Sequence, residues 1–304
     1  MKSKIVVLHD VKEQDKPELS TEELMNYGII LVDKPKGPTS HQVSDMVKKA
    51  LGIGKAGHSG TLDPAVTGLL PVALGRATRI VQFLLKAPKE YIGIMHFHNE
   101  IDEQKLRKVV DKFTGKIIQL PPVKSAVKRA KRTREIYELD IIEIKEKDVL
   151  FRVNCQAGTY IRKLVHDIGE ELDGAHMAEL RRTKVGPFSK MMASVQDVKD
   201  AKTLSEEGND KLLRHIILPI ERAVELLPKV WILDSAIESV THGRDVAIPG
   251  IVKLNHFNEK ETVAIMNMKN ELVAAGTAEM HTGNIKRNDK GIAIIVEKVF
   301  MTQQ

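Results

Sequence analysis

Asp63 is the carboxylate in this chain whose setting asks for chemistry. It follows Gly57-His58-Ser59-Gly60-Thr61-Leu62 and precedes Pro64-Ala65-Val66-Thr67-Gly68-Leu69-Leu70-Pro71. A glycine-rich turn thus delivers it against an apolar run too weakly polar to solvate it. A carboxylate so placed either caps the next helix, with Pro64 at the first helical position, or meets a cation brought from elsewhere in the chain. On these residues alone the two readings stand at about even odds, because helix starts are common and catalytic aspartates rare. A second chemical feature is a run of cations. Lys124, Lys128, Arg129, Lys131, Arg132 and Arg134 occur with no acid among them, and Arg181, Arg182 and Lys184 form a smaller group. Such runs are usually solvated faces, with phosphate contact as the rival reading. Gly52-Ile53-Gly54-Lys55-Ala56-Gly57 has the spacing of a dinucleotide fingerprint. It follows a helix-patterned stretch rather than a strand, which excludes that use.

The elements around these residues can be read from periodicity and turn chemistry. Gly28 to Asp33 reads as a buried strand, Lys34 to Ser40 as a turn, and 41–51 as a helix capped by Ser40. A strand over 90–97 carries Tyr91 near its start, and a charge-rich helix lies near 101–114. Leu139 to Ile144 and Val149 to Cys155 alternate around Lys145-Glu146-Lys147-Asp148, which predicts a hairpin. A helix from about 160 to 172 presents Ile161, Leu164, Val165, Ile168 and Leu172 as one apolar face. Strands and helices interleaved with hairpins imply an α+β fold rather than a doubly wound parallel sheet. After Leu226-Leu227-Pro228 a second unit begins. There a helix from Ser235 to His242 ends at Gly243, and short strands run over Val263 to Met266, Leu272 to Ala275 and Ile292 to Val296. Gly243, Gly250 and Gly276 are the expected turns. The chain divides into an extension, 1–25, that packs on another part of the protein, a first domain, 26–226, and a second, 229–300.

Composition bounds the function. The chain has 304 residues, 42% of them hydrophobic, and a formal net charge of +6. That basic excess suits a polyanionic partner. With 4% aromatics, the composition argues against a stacking platform of the RRM kind. Cys155 is the one cysteine, so there is no internal disulfide and no cysteine-cluster metal site. It fits a reducing cytoplasm as a small core residue. The short run Ile5-Val6-Val7-Leu8 is stopped by His9 and Asp10, too early for a secretory signal. Nothing approaches the roughly 18 apolar residues of a membrane span. A cytoplasmic protein is expected.

The ordered motifs resemble those of the pseudouridine synthases of the tRNA T-arm and dyskerin type. The stretch around Asp63 is similar to that family's catalytic motif, and Lys34-Pro35-Lys36-Gly37-Pro38-Thr39-Ser40 to its K-P-x-G-x-T-S element. Gly158-Thr159-Tyr160-Ile161-Arg162 matches the G-T-Y-I-R element, and Leu180-Arg181-Arg182 the leucine motif that lines the uracil pocket. The resemblance implies Asp63 as nucleophile, Arg162 as its carboxylate partner, and Tyr91 as the ring stacked on the flipped base or as a proton acceptor. It further implies His58 as the residue that helps turn the target nucleotide out, with Lys34, Tyr160 and Leu180 in the substrate site. The segment 124–134 corresponds to a substrate-facing thumb loop, which makes Lys124, Lys128, Arg129, Lys131 and Arg132 phosphate contacts. The family commonly has Gly or Thr where this chain has Ser59, a small departure. Without the resemblance, Tyr91 would be cross-strand packing and Arg162 a surface arginine.

The implied reaction suits these residue types. Uridine becomes pseudouridine when the C1′–N1 bond breaks, the base turns and C5 joins C1′. No group is gained or lost, so no cofactor is demanded. The hard step needs an ionised carboxylate to attack the sugar or stabilise its positive charge. A guanidinium, always protonated and a fork of donors, holds such a carboxylate charged. If that pair were buried, losing one partner would cost about 3–5 kcal/mol of stability. The family fold implied is a mixed, largely antiparallel sheet with the cleft across its middle, followed by a small β-rich PUA barrel in which Gly243 and Gly250 make turns. The compact 120–129 segment and Ala175-His176-Met177-Ala178-Glu179-Leu180 resemble the archaeal form of the dyskerin branch. That implies the catalytic subunit of an H/ACA ribonucleoprotein acting on rRNA, with a guide RNA and small accessory proteins. The alternatives are a guide-independent synthase of the tRNA T-arm uridine, or an assembly scaffold without catalysis.

Overall fold

The computed structural model describes residues 5–12, 14–120 and 130–301. The chain forms two compact units, one from 29–74 and 81–217, the other from 1–28, 75–80 and 218–304.

The first unit is built on a mixed, largely antiparallel sheet of nine strands. Its middle runs Gly28–Lys34, Thr67–Leu74, Ala175–Val185, Lys89–Phe97, Asp148–Cys155, Arg132–Lys145 and Gly115–Gln119 in spatial order. Thr67–Leu74 and Ala175–Val185 meet in parallel, and the neighbouring pairs on either side are antiparallel. The short strand Ala56–His58 pairs antiparallel with Thr67–Leu74. The expected hairpin is present with longer arms, Arg132–Lys145 and Asp148–Cys155, turning through Glu146 at φ 54°. Helix Ile161–Glu170 buries Ile161, Leu164, Val165 and Ile168 against Met95, Phe97, Phe151 and Val153 of the sheet, and its second residue is Arg162.

Helix Ser40–Leu51 starts one residue earlier than expected. Thr39, not Ser40, is its N-cap, in a reciprocal box with Gln42. Gly52 ends it in the left-handed conformation at φ 67°, which gives the first glycine of the false fingerprint a purely terminating role. Helix Glu103–Lys112 is capped by Asp102. The sharpest departure from expectation is at Asp63 itself. No helix follows it. Val66 N donates to the Asp63 carbonyl at 3.0 Å, closing a four-residue turn with Pro64 at its second position, and strand Thr67–Leu74 begins at once. The capping reading therefore falls, and the carboxylate is free of that duty.

In the second unit, seven strands form one sheet over a core that includes Val230, Ile232, Leu254, Phe257, Ile265 and Ile294. The N-terminal segment belongs to this unit: Ile5–Val7 pairs antiparallel with Ile251–Asn255, and Gln14 N donates to Met268 O at 3.1 Å. Helix Asp234–Thr241 is followed by Gly243 at φ 84°, and Gly250 closes the short 3-10 turn Ile248–Gly250. Gly276 is not at a turn. It lies inside strand Leu272–Ala278 at a register shift, where a Cβ would sit 2.0 Å from the Ile295 carbonyl. Close backbone approach explains the residue. No helix among the described residues is long and apolar enough to cross a membrane.

Candidate active site

The loop that carries Asp63 is gripped by side chains that reach its backbone. Lys34, fully buried, donates from Nζ to the carbonyls of Pro35 at 2.8 Å, Pro64 at 3.3 Å and Val66 at 2.9 Å. Burial lowers its pKa, and the Asp63 charge opposes that shift. Gly37, at φ 115°, donates from its amide to Pro64 O at 2.9 Å. The Ser40 hydroxyl accepts from Leu62 N at 2.8 Å and donates to Leu62 O at 3.2 Å. The whole Lys34–Ser40 element is thus the clamp of the Asp63 turn. Lys34 was expected in contact with substrate; with no exposed surface and its three donors committed, it positions the loop instead. Ser59 is also buried, its amide on Pro71 O at 3.0 Å and its hydroxyl on the same carbonyl at 3.4 Å.

Beneath the loop lies Arg182, 1% exposed. Nε donates to Leu69 O at 2.8 Å and Nη2 to Gly60 O at 3.1 Å. Tyr91 and Arg182 are direct partners across antiparallel strands. Gly68 makes this packing possible: a Cβ there would lie 2.3 Å from the Arg182 carbonyl. The expected Arg181, Arg182 and Lys184 basic group does not exist as a surface. Successive strand residues face opposite ways, so Arg181 pairs with Asp33 at 2.7 Å while Arg182 points inward.

Arg162 Nη2 meets Asp63 Oδ2 at 2.6 Å across 99 residues of sequence, and each side chain is more than half exposed. The structure brings the expected pair together but leaves it open. That corrects the expectation of a buried pair costly to break. Arg162→Ala is expected to change unfolding free energy by no more than about 1 kcal/mol while severely slowing turnover, which urea denaturation and single-turnover rates will separate.

Around the pair, Leu180 is 8% exposed and shares a cluster with Leu62, Val66 and half-buried Tyr91. His58 is half-buried, with Nδ1 enclosed and lacking a hydrogen-bond partner. Burial pushes its pKa down, and the Arg182 and His41 charges push it the same way. Tyr160 precedes the Arg162 helix, its backbone clamped by Gln119, Oε1 accepting from the amide at 3.0 Å and Nε2 donating to the carbonyl at 3.2 Å. Arg134 donates to Gly158 O at 3.1 Å, bracing the same turn. Lys131 is exposed and Arg132 half-buried. Lys124, Lys128 and Arg129 lie outside the described residues. Gln119, Arg134 and Arg182 were missed as site-building residues. For Arg182 a signal existed, since it stands two residues from Leu180 on a strand and so shares its face.

A carboxylate on a tight turn, an arginine on a helix start aimed at it, and an aromatic ring beside an apolar cluster stand together, and among the described residues no group of His, Cys, Asp and Glu is placed to hold a metal ion. Comparison with known proteins gives the family. The profile "TruB family pseudouridylate synthase (N terminal domain)" matches residues 48–161, and "tRNA pseudouridylate synthase B C-terminal domain" matches 162–225. DKCLD (NUC011) matches 18–44 and the PUA domain 228–300. The chain belongs to the TruB family and is a pseudouridine synthase. Within that family it is 52% identical over 308 residues to a probable tRNA pseudouridine synthase B of Thermococcus kodakarensis, covering 97% of this chain and 91% of that protein. A counterpart of the same name in Methanothermobacter thermautotrophicus is 51% identical over 288 residues, 93% of this chain and 89% of that one. Among solved structures, the chain is similar to one in a Cbf5-Nop10-Gar1 complex, with TM-score 0.93 and 48% identity over 99% of this chain and 95% of that one. A structure of an H/ACA RNP bound to a substrate RNA containing 2'-deoxyuridine gives TM-score 0.92 and 46% identity over 99% and 96%.

Proposed function

We propose that this synthase works in the cytoplasm as the catalytic subunit of an H/ACA ribonucleoprotein, isomerising rRNA uridines chosen by a guide RNA, with small accessory proteins of the Nop10 and Gar1 kind. The observation that carries this is the near-complete structural match to a chain solved inside an H/ACA RNP on substrate RNA. Residues 26–226 do the chemistry, and 229–300, with turns at Gly243 and Gly250, anchor RNA. Asp63 is the nucleophile at C1′, and Arg162 keeps it ionised and aimed. The Tyr91 ring lies under the extruded base, Leu180 lines its apolar wall, and His58 helps displace it from the stack. Tyr160 fixes the approach to the Arg162 helix. Lys131 and Arg132, with Lys124, Lys128 and Arg129, hold phosphates. Delegating sequence choice to base pairing suits a protein that reads backbone and shape. The flipping cost of a few kcal/mol is offset by the pocket.

A second reading, guide-independent action on the tRNA T-arm, is favoured by the names of the Thermococcus and Methanothermobacter relatives. Tritium release from C5-labelled uridine decides between them. An rRNA fragment and a tRNA transcript would each be tested with and without guide RNA and accessory proteins. Release from rRNA only with the guide is expected. Release from tRNA alone would promote the second reading, and silence everywhere would leave an assembly scaffold.

A further inference from the structure

Lys89 is a second buried lysine, 6% exposed, outside the chemistry assigned to the site. Its place follows from the sequence just before it. Helix Val81–Lys86 is short and is stopped by Pro88, which has no amide to give to the carbonyls that the helix end leaves open. The Lys89 ammonium supplies the donors: Nζ lies 3.1 Å from Leu84 O, 2.7 Å from Leu85 O and 2.6 Å from Ala87 O. Three carbonyls take all three of its hydrogens. Its backbone is fixed on both sides, paired with Cys155 and Val185 of the flanking strands, and it opens strand Lys89–Phe97 two residues before Tyr91. The helix in turn reaches the catalytic loop. A Cβ at Gly60 would stand 3.9 Å from Leu85 Cδ2 and 3.4 Å from Arg182 Nη1, so Leu85, whose carbonyl Lys89 holds, flanks the loop three residues before Asp63.

We propose that Lys89 is a positioning residue: by fastening the end of helix Val81–Lys86 to the base of the Tyr91 strand, it holds Leu85 against the Gly60 flank of the Asp63 loop. The carboxylate thereby stays in register with the ring that lies under the base. The clamp is complete only while the ammonium is charged, because a neutral amine has two hydrogens for three carbonyls. Its surroundings bear on that charge. Burial and the Arg182 guanidinium lower the Lys89 pKa to about 8, with Cys155 opposing. The helix turns carbonyls toward it, and the charged Lys86 side chain is exposed. His58 is held below its usual value, and Tyr91 and Cys155 above theirs, so those three titrate to either side. Lys34, lowered too, is told apart by substitution at Lys89. The proposal rests on the reading of Asp63 as the catalytic centre.

The test compares wild type with Lys89→Met, which keeps the apolar stem and removes the donors, in the assembled ribonucleoprotein. Single-turnover tritium release is followed from about pH 6.5 to 9.5, below and above the titration of Lys89 but short of an ordinary lysine. At the low end the variant is expected to be about tenfold slower, less than the roughly 10²-fold cost of moving a reacting group by 1 Å. At the high end the two rates converge, because wild type has lost the same contact. Stability is expected to move the other way. The folded pKa lies below the ordinary 10.5, so between the two the unfolded chain binds more protons and this group's contribution to stability rises with pH. The urea midpoint of wild type relative to Lys89→Met should therefore rise over the window in which the rate advantage vanishes. A rate ratio that stays constant with pH overturns the proposal, as does a midpoint difference that falls in step with the rate. Titration of ¹³Cε-labelled lysines in the full chain needs neither the variant nor RNA. One lysine losing its proton near pH 8 is expected, and a set that all titrate above about pH 10 overturns the clamp. An assembly that releases no tritium at any pH would defeat the functional reading beneath, a result that the lysine titration keeps apart from failure of the clamp.

Discussion

Asp63→Asn is expected to stop turnover and leave the fold and the RNA affinity nearly unchanged. The change replaces one oxygen by an amide nitrogen of the same size, removing the charge that must attack or face C1′. Losing a nucleophile that acts as a unit with its partner costs on the order of 10⁴-fold or more in kcat. Stability is insulated because nothing in the loop hangs on the carboxylate. Lys34, Gly37, Ser40 and Arg182 grip the segment by the carbonyls of Pro64, Val66, Leu62 and Gly60 and the amide of Leu62. The Arg162 contact is more than half exposed on both sides, and such pairs contribute about 0–1 kcal/mol. Guide-RNA binding by filter retention and the urea midpoint should therefore match wild type, while tritium release falls to background. A rate within tenfold of wild type would remove Asp63 from the nucleophile's role. Loss of RNA binding would show that catalytic and docking surfaces are not separate.

What the sequence announced and what it hid follow one physical line. Helix Ser40–Leu51, helix Ile161–Glu170 and the hairpin around Glu146 were legible because each carries its own period, apolar spacing along the helices and alternation on both hairpin arms, although the first helix is capped by Thr39 rather than Ser40. The Asp63–Arg162 pair was legible only through the motifs' resemblance to a family, since nothing local in either segment records a partner 99 residues away. Charge burial was the main loss. Lys34 and Arg182 look like RNA contacts on paper, because lysine and arginine are almost never fully buried unless partnered, and their partners are backbone carbonyls, which every sequence supplies everywhere and so announces nowhere. At Asp63, Pro64 suits both a helix start and the second position of a turn. The choice was made by strand Thr67–Leu74, whose pairing with Gly28–Lys34 and Ala175–Val185 leaves no room for a helical turn.

Those buried lysine contacts carry a large share of the stability of the Asp63 turn. Lys34→Met keeps the length and apolar stem of the side chain and deletes three hydrogen bonds. The carbonyls of Pro35, Pro64 and Val66 would lose their donor, at about 1–3 kcal/mol for each one left buried and unpaired. Relief from desolvating an ammonium, which lowers the Lys34 pKa, offsets part of that sum. A net loss of about 2–4 kcal/mol is expected, within the range of broken buried networks. The Asp63 turn would loosen at the same time, and misplacement of a reacting group by about 1 Å costs on the order of 10²-fold in rate. The variant should thus unfold at lower urea and turn over slowly, with RNA affinity close to wild type. The opposite pattern, unchanged stability with weakened RNA binding and a salt slope reduced by about one, is what a phosphate-contacting Lys34 would give. The urea midpoint and the salt slope of RNA binding, measured on the same preparation, choose between a lysine that holds the catalytic turn and one that meets the RNA.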